Sequence, residues 1–149
     1  MILLDTNVLV YSVNADAPQH QASRAVVQAA LDQRIAAVLV PQVLLEFLAV
    51  VSSPRRVANP LDAEQAWEQV SLLRSHLPVL DLRPSALSAV GDLMISSGRT
   101  GRQVFDLFLV AQMRSHEVAT ICTHNTSDFA GLLEIDARRP EEVLADPPL

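Results

Sequence analysis

The sequence contains no lysine, and all eleven of its basic residues are arginine. This absence excludes every mechanism that needs a lysine side chain. The single cysteine, Cys122, excludes an internal disulfide and is typical of a reducing compartment, so we expect a cytoplasmic protein. The four histidines lack the spacing of zinc ligands. The formal net charge of −6 has the wrong sign for a general nucleic-acid binder.

Long apolar runs are also missing. Every apolar stretch is interrupted by a charged or polar residue well before it reaches the length of a membrane span, so we expect no membrane association. The N-terminal stretch is apolar, but no basic region precedes it and Asp5 interrupts it. This pattern argues against a signal peptide.

Hydrophobic residues make up 50% of the 149 residues, which predicts a well-packed core and argues against disorder. A chain of this length predicts a single domain over residues 1–149. Residues 137–149 are charged and proline-rich, and we expect them to form a loosely held tail. The runs of strand length are the one before Asp5, residues 36–40, 78–82 and 118–122, and a fifth candidate at 132–135.

Segments with helical apolar spacing separate these runs. Pro41 and Pro84 are placed to begin helices, because proline suits the first helical position. Asp62 can cap a helix that ends near His76, and the helix from Pro84 is expected to end at Gly98. Strands that alternate with helices predict βαβ units. The predicted fold class is α/β, with three layers: a central, mainly parallel sheet of four or five strands and helices on both faces.

Asp5 occupies a special position in the first eleven residues, which are apolar apart from Asp5, Thr6 and Asn7. Such a run predicts a buried strand that turns into a helix capped by Thr6 or Asn7. Asp5 would then lie at the carboxyl end of the first strand, where α/β sheets form their ligand crevice. A buried carboxylate costs several kcal/mol unless a positive group meets it. This position therefore predicts a cationic partner.

Three other acidic residues have comparable surroundings. Glu46 and Asp106 interrupt the most apolar helices, and Asp128 follows the fourth predicted strand. Charged side chains are rarely buried without a partner. Because the chain has no lysine, a bound cation is the simplest partner for the four acids, Asp5, Glu46, Asp106 and Asp128. Mg²⁺ or Mn²⁺ binds carboxylate and water oxygens and needs neither histidine nor cysteine.

A simpler interpretation exists for each acid taken alone. A single acidic residue in an apolar helix usually lies on the solvent-facing stripe. Asp81 and Asp92 are assigned to that interpretation. The four acids differ from them in their joint placement, two at strand ends and two in the most apolar helices.

The segments that contain the four acids resemble the PIN-domain ribonucleases, and most closely the toxins of VapBC toxin–antitoxin pairs. The matching segments are Leu4-Asp5-Thr6-Asn7-Val8-Leu9, then Glu46 in the helix after the second strand, then residues 101–111 (Gly-Arg-Gln-Val-Phe-Asp-Leu-Phe-Leu-Val-Ala), and finally residues 123–129 (Thr-His-Asn-Thr-Ser-Asp-Phe). Their order covers nearly the whole chain.

The resemblance implies a PIN-like fold and a ribonuclease that depends on Mg²⁺, with Mn²⁺ as a substitute. It implies the four acids as the catalytic and metal-binding residues. It further implies a cognate antitoxin, a homodimer and an RNA substrate, either transfer RNA or another structured RNA. The residues that it favours for support of the site and for substrate binding are Thr6, Thr123 and Arg102.

A hydrolytic mechanism follows from this set of residues. A metal-bound water is a usable nucleophile near neutral pH, and the same ion neutralises the phosphate under attack. Asp5 and Asp106 are the strongest ligand candidates. Arg99, Arg102 and the pair at residues 55–56 could reach phosphates near the site. His124 could shuttle a proton, although a solvent-facing turn histidine is the more common case.

Competing α/β families lack necessary residues here. A haloacid-dehalogenase-type phosphatase needs a second aspartate where this chain has Asn7, and it also needs a lysine. A receiver domain likewise needs a lysine, and the glycine motifs of nucleotide-binding folds are absent. The alternative that remains is a non-catalytic module of the same fold that binds RNA or protein. Loss of one of the four acids would favour it, and none is lost.

Overall fold

Four short parallel strands form the centre of the protein in a computed structural model, which describes residues 1–147. They are β1 (Ile2–Leu4), β2 (Ala37–Val38), β3 (Thr120–Cys122) and β4 (Asp136–Arg138), and their order across the sheet is β2-β1-β3-β4. In register, Leu3 pairs with Val38 on one side and with Ile121 on the other. The predicted parallel central sheet is confirmed.

Seven α-helices accompany the sheet within residues 1–147. They are α1 (Thr6–Val13), α2 (His20–Leu31), α3 (Pro41–Val51), α4 (Ala63–His76), α5 (Pro84–Ser97), α6 (Gln103–Ser115) and α7 (Pro140–Ala145). Local signals placed several ends correctly, since Pro41 and Pro84 begin helices, Asp62 caps α4, and Gly98 ends α5 with a φ of 68°. No helix in this part of the chain is long and apolar enough to cross a membrane.

The hydrophobic core lies on both faces of the sheet. Every residue of β1 and β3 is buried. Because successive strand residues point to opposite faces, this burial requires cover on both sides. Helix α1 packs against α2 and α3, and α5 packs against α6. The continuous apolar runs of the sequence are therefore the strands at the centre of a three-layer fold.

The predicted strand at residues 78–82 does not form. Within residues 1–147, this segment forms one isolated bridge, between Leu39 and Val79. The Leu39 N–H donates to the Pro78 carbonyl oxygen, and the Leu80 N–H donates to the Leu39 carbonyl oxygen. Pro78 has no N–H to donate, and Pro84 begins α5 soon afterwards. The segment is therefore too short to extend the pairing.

The predictions for the end of the chain also need correction. Residues 132–135 are not a strand, because Glu134 has a φ of 68°, which an extended strand does not allow. Residues 137–147 are not a loose tail: they complete β4 and form α7, which packs against α2 and buries Val143 completely. Strand β4 is polar, and its Arg138 pairs with Asp136. It therefore lacks the apolar run from which the other strands were predicted. Residues 148–149 lie outside the described residues.

The parallel topology brings three strand ends to one edge of the sheet. Asp5 follows β1, Thr123 follows β3, and α3 begins just after β2. The Asp5 N–H donates to the Cys122 carbonyl oxygen at 3.0 Å, which extends the pairing of β1 and β3 to this edge. Polar residues distant in sequence therefore meet at the carboxyl end of the sheet.

Candidate active site

Asp5 lies where β1 ends and α1 begins. Its backbone is extended, and its Oδ1 accepts a hydrogen bond from the Thr6 N–H at 2.7 Å, so Asp5 itself is the N-cap of α1. The prediction that Thr6 or Asn7 caps this helix is therefore wrong. Both side chains instead bond to acidic residues, Thr6 to Glu46 and Asn7 to Asp5.

The second oxygen of Asp5 is held by two polar side chains. Thr123 Oγ1 and Asn7 Nδ2 each donate to Oδ2 at 2.7 Å. Asn7 also donates to Thr123 Oγ1 at 3.0 Å, and its Oδ1 accepts from the His124 N–H at 3.0 Å. Thr123 is fully buried, so its hydroxyl forms its hydrogen bonds within the protein. All these donors are neutral, so they orient the Asp5 carboxylate without neutralising its charge.

Glu46 is held in a similar way on α3. Thr6 Oγ1 donates to Oε2 at 2.9 Å, and Gln42 Nε2 donates to Oε1 at 2.9 Å. Gln42 precedes Glu46 by one helical turn, so the two side chains lie on the same face of α3. Both oxygens of the Glu46 carboxylate are therefore fixed by uncharged donors.

Asp106 and Asp128 complete the acidic set. Asp106 is half-buried in the first turn of α6, and Asp128 is exposed on a 3-10 helix, Thr126–Phe129, that follows β3. The Arg99 guanidinium donates to the backbone carbonyl oxygens of Asp128 and, at 2.7 Å, of Ala130. Arg99 thus attaches the turn that carries Asp128 to the loop before α6.

The remaining arginines of the predicted phosphate-binding set are exposed. Arg102 lies at the N-terminus of α6, one turn before Asp106. Arg55 and Arg56 follow α3. Their exposure leaves these side chains accessible to a ligand in solution, whereas the guanidinium of Arg99 is bonded within the protein.

The electrostatics of Asp5 reflect its burial. Burial is the largest of the causes that together raise the pKa of the Asp5 carboxyl from 3.8 to about 6. Hydrogen bonds from Thr123 and from the Thr6 N–H lower this pKa. The charges of Glu46 and Asp106 raise it. Asp5 is therefore a carboxylate whose ionised form is disfavoured in the folded protein.

Asp106 is linked electrostatically to the other acids. Burial raises its pKa most, the charges of Asp128 and Glu46 raise it further, and the charge of Arg99 lowers it. None of the ion pairs found among residues 1–147 includes any of the four acids. Asp5 is thus affected by the charges of Glu46 and Asp106, and Asp106 by those of Glu46 and Asp128, while no ion-paired side chain in the described chain offsets them.

The chemistry of this group suits a hard divalent cation. Within residues 1–147, no three His, Cys, Asp or Glu side chains are placed together so that they could hold a metal ion by themselves. Mg²⁺ does not need three such ligands, because it keeps several waters and is usually bound through one or two carboxylates. The four acids offer oxygen donors alone, which is the ligand type that Mg²⁺ and Mn²⁺ prefer. The donor set therefore fits such an ion.

His124 is partly buried in the bend that follows β3. Its Nε2 is 2.6 Å from the hydroxyl of the fully buried Ser23, and its ring packs edge-on against Tyr11 with 5.3 Å between centroids. Burial lowers the pKa of His124. Within residues 1–147 its ring has no hydrogen bond to a carboxylate, so no contact supports a proton shuttle.

Three residues of the site were not identified as such from the sequence. Asn7 was predicted only as a helix cap, and no role was predicted for Gln42 or for the buried Gln112. Gln42 could have been found from its spacing of one helical turn before Glu46. Gln112 Nε2 donates to Gln42 Oε1 at 2.9 Å, a contact between helices that no sequence spacing indicates.

Comparisons with known proteins agree with this geometry. A family model described as PIN domain matches residues 2–132. Among curated proteins, the chain is similar to Ribonuclease VapC24 of Mycobacterium tuberculosis, with 29% identity over 131 residues that cover 87% of this chain and 89% of that protein.

Solved structures with the same fold are also found. One is VapBC2 from Rickettsia felis bound to a DNA fragment from their promoter, with a TM-score of 0.67, 19% identity, and coverage of 93% of this chain and 98% of that one. Another is Mycobacterium tuberculosis VapC20, a Sarcin-Ricin loop cleaving toxin, with a TM-score of 0.67, 14% identity, and coverage of 91% and 98%. At these identities the likeness shows the fold alone.

Proposed function

This chain belongs to the PIN domain family, and from that premise we propose that it is a divalent-metal-dependent RNA endonuclease, the toxin of a type II toxin–antitoxin pair. The observation that carries the proposal is the acidic set near the carboxyl end of the sheet: Asp5 and Glu46 are held by neutral donors, Asp106 is affected by the charges of Glu46 and Asp128, and none of the four acids forms an ion pair in the described chain. The name of its relative VapC24, a ribonuclease matched over most of its length, supports the same activity.

The four acids would hold Mg²⁺, or Mn²⁺ in its place. When bound, such an ion supplies positive charge to the attacked phosphate and makes a nearby water more acidic. Asp5 is pre-oriented for this task by Thr123 and Asn7, and Glu46 by Thr6 and Gln42. These bonds keep the carboxylates fixed while they repel one another, so little reorganisation is needed when the ion arrives.

Substrate contacts are assigned to the exposed rim of the site. Arg102 is exposed one turn before Asp106, where its guanidinium can meet a phosphate of the RNA. Because the whole chain carries a net charge of −6, RNA binding must depend on such local arginines. Thr6 and Thr123 act as supports of the acids, since their hydroxyls already donate to Glu46 and Asp5.

The proposed partners follow from the same family assignment. We expect RNA as the substrate, either transfer RNA or another structured RNA, and the structural neighbour VapC20, which cleaves the sarcin–ricin loop, fits that class. A small antitoxin is the expected inhibitor, as the VapBC2 complex suggests, and an arginine inserted among the four acids would be its simplest mode. We further propose a homodimer in the cytoplasm.

An RNA cleavage assay tests this function. The purified chain, freed of any partner, should cut transfer RNA or ribosomal RNA when Mg²⁺ is present and should stop when a chelator is added. Asp106→Asn should abolish the cleavage. Asp92→Asn is the matched control, because Asp92 is an exposed aspartate in a neighbouring helix, α5, outside the acidic group.

Two results would contradict the proposal. A folded chain that binds RNA but leaves it intact at every Mg²⁺ concentration would be a non-catalytic binding module of the same fold. Equal activity in the Asp106 and Asp92 variants would show that the acidic group is not the catalytic site.

A further inference from the structure

Gln112 is a glutamine whose side-chain amide is buried in the protein interior. It lies on α6 with 2% of its surface exposed. Burial of an amide costs free energy unless its polar atoms are hydrogen-bonded. Its Nε2 donates to Gln42 Oε1 at 2.9 Å and, at 3.4 Å, to the Phe108 carbonyl oxygen. A methionine or leucine would fill this space without polar atoms, so packing alone does not explain a glutamine here.

The bond from Gln112 determines which way the Gln42 amide faces. A glutamine amide has an acceptor oxygen on one side and a donor NH₂ group on the other. With Oε1 engaged by Gln112, Gln42 directs Nε2 toward Glu46 Oε1 at 2.9 Å and the Phe105 carbonyl oxygen at 3.1 Å. The reversed amide would place oxygen against oxygen at Glu46. The bond from Gln112 therefore supports the orientation in which Gln42 donates to the Glu46 carboxylate, while the bond to the Phe108 carbonyl keeps Gln112 Nε2 as the donor.

The same bonds join the two helices that carry acidic ligand candidates. Gln42 and Glu46 belong to α3, whereas Asp106 and Gln112 belong to α6. Gln42 bonds to α6 at two points, the Phe105 carbonyl in its first turn and the Gln112 side chain further along. Phe105 immediately precedes Asp106. The Gln42 side chain thus links the face of α3 that carries Glu46 to the first turn of α6, which carries Asp106.

We propose that Gln112 is a positioning residue of the acidic site, which acts through Gln42 to hold the Glu46 carboxylate in place for a divalent ion. This inference rests on the proposed metal-dependent function. Gln112 is buried and touches neither the ion nor the RNA. Its loss should therefore weaken metal binding and leave RNA contacts unchanged.

The first variant to test is Gln112→Met. Methionine matches glutamine in length and suits a core, but it cannot bond to Gln42. Calorimetric titration of chelator-treated protein with Mn²⁺ should show a Kd about tenfold higher than in the wild type, the effect expected of groups that orient metal ligands. The Mg²⁺ concentration for half-maximal RNA cleavage should rise to a similar extent. The KM for RNA at saturating Mg²⁺ should stay unchanged.

A double variant tests whether Gln112 acts through Gln42. Gln42→Met alone should weaken Mn²⁺ binding, and Gln112→Met added to it should cause no further loss, because the path is already broken. Gln28→Met is the matched control, since it removes an exposed bond from a glutamine to the Asp32 carboxylate at 2.8 Å on another helix. This control should bind Mn²⁺ as the wild type does.

The outcomes separate the two proposals. A wild type that binds no Mn²⁺ and cleaves no RNA overturns the proposed function, and this inference with it. A functional wild type with unchanged Mn²⁺ affinity in Gln112→Met overturns the inference alone, as do losses that multiply in the double variant. If Gln112→Met does not fold, Gln112→Leu makes the same test, because leucine fills the buried space and likewise cannot bond to Gln42.

Discussion

Acidic residues occur in two contrasting regions of this protein. At the carboxyl end of β1, Asp5 and Glu46 accept hydrogen bonds from neutral donors. At the edge strand β4, Arg138 forms ion pairs with Asp136 at 2.6 Å and with Asp146 at 3.5 Å. Arg138 thus pairs directly with carboxylates at the edge, whereas neither Asp5 nor Glu46 has an ion-paired side chain among residues 1–147.

The difference shows where the protein tolerates an unfavourable charge. Solvent-accessible ion pairs such as Arg138–Asp136 are screened by water, contribute little to stability and need no further partner. The partly buried Asp5 has a pKa raised to about 6 chiefly by desolvation, so its charge destabilises the folded state. Such destabilisation is typical of functional sites, where a bound ligand reverses it. The absence of an ion-paired side chain therefore identifies the candidate site better than the number of acidic residues does.

The largest expected contrast between the two regions is in catalysis. Asp5→Asn should reduce Mg²⁺-dependent RNA cleavage by more than about 100-fold, because even groups that only orient ligands contribute 10- to 100-fold. Asp136→Asn, in the edge region, should cleave at the wild-type rate. Initial rates at saturating Mg²⁺ for both folded variants provide the measurement. Similar losses in the two variants would remove the distinction between the regions.

The next contrast is in how stability depends on pH. The folded pKa of Asp5 is about 6 and its ordinary value is 3.8, so the folded state retains a proton that the unfolded chain releases. The resulting penalty is absent below about pH 4, grows as pH rises, and reaches about 3 kcal/mol above pH 6 to 7. As pH rises over this range, the free energy of unfolding of the metal-free wild type should fall by that amount relative to that of Asp5→Asn.

Urea unfolding in the presence of a chelator, at pH 4 and at pH 7, measures this difference. The comparison with Asp5→Asn isolates Asp5, because the other titrating groups are common to both proteins. Asp136→Asn is the exposed control and should not reproduce this fall. A relative stability of the wild type that rises with pH would mean that the Asp5 pKa is not raised.

A smaller effect is expected at Asp106, which is half-buried. Its pKa is raised by burial and by the charges of Asp128 and Glu46. Asp106→Asn should therefore raise the metal-free stability at pH 7 by on the order of 1 kcal/mol, less near pH 4, after allowance for solvent screening. Mg²⁺ should raise the melting temperature of the wild type by mass action and that of the variant much less. Equal Mg²⁺ shifts in both proteins would show that Asp106 does not belong to the metal site.

The smallest effect concerns the exposed Arg102. Arg102→Ala should weaken RNA binding several-fold and reduce the salt slope of the binding constant by about 1, while Mn²⁺ affinity stays the same. Arg34→Ala is the control, because Arg34 precedes β2 and so lies toward the opposite end of the sheet. Filter binding across a range of salt concentrations gives the slope. Identical slopes for the two variants would make Arg102 an ordinary surface charge.

Local signals explain which parts of the fold were predictable. Pro41, Asp62 and Gly98 mark helix ends through the geometry of their own backbone or side chain, and the structure has the ends there. Strand β4 carries no such signal, since its Asp136 and Arg138 are polar and it therefore lacks the apolar run that marks β1 and β3. The buried strand β1 was predictable because burial on both faces makes it continuously apolar.

The site divides in the same manner. Asp5, Glu46 and Asp106 could be proposed from the sequence because each is a charged residue in an apolar segment, and Asp128 because it follows a predicted strand. Their donors could not, because Thr123 and Asp5 are separated by 118 positions and meet only when β1 pairs with β3. Gln112 carried no signal, since a glutamine in a helix is usually exposed.

Direct Mn²⁺ binding tests the central claim, that the four acids form one cation site whereas the acids of the β4 edge do not. Chelator-treated wild type, Asp106→Asn and Asp136→Asn can be titrated with Mn²⁺ and followed by electron paramagnetic resonance. We predict that the wild type and Asp136→Asn bind Mn²⁺ with the same affinity and that Asp106→Asn binds it at least about tenfold more weakly. Equal affinity in all three proteins would contradict the claim.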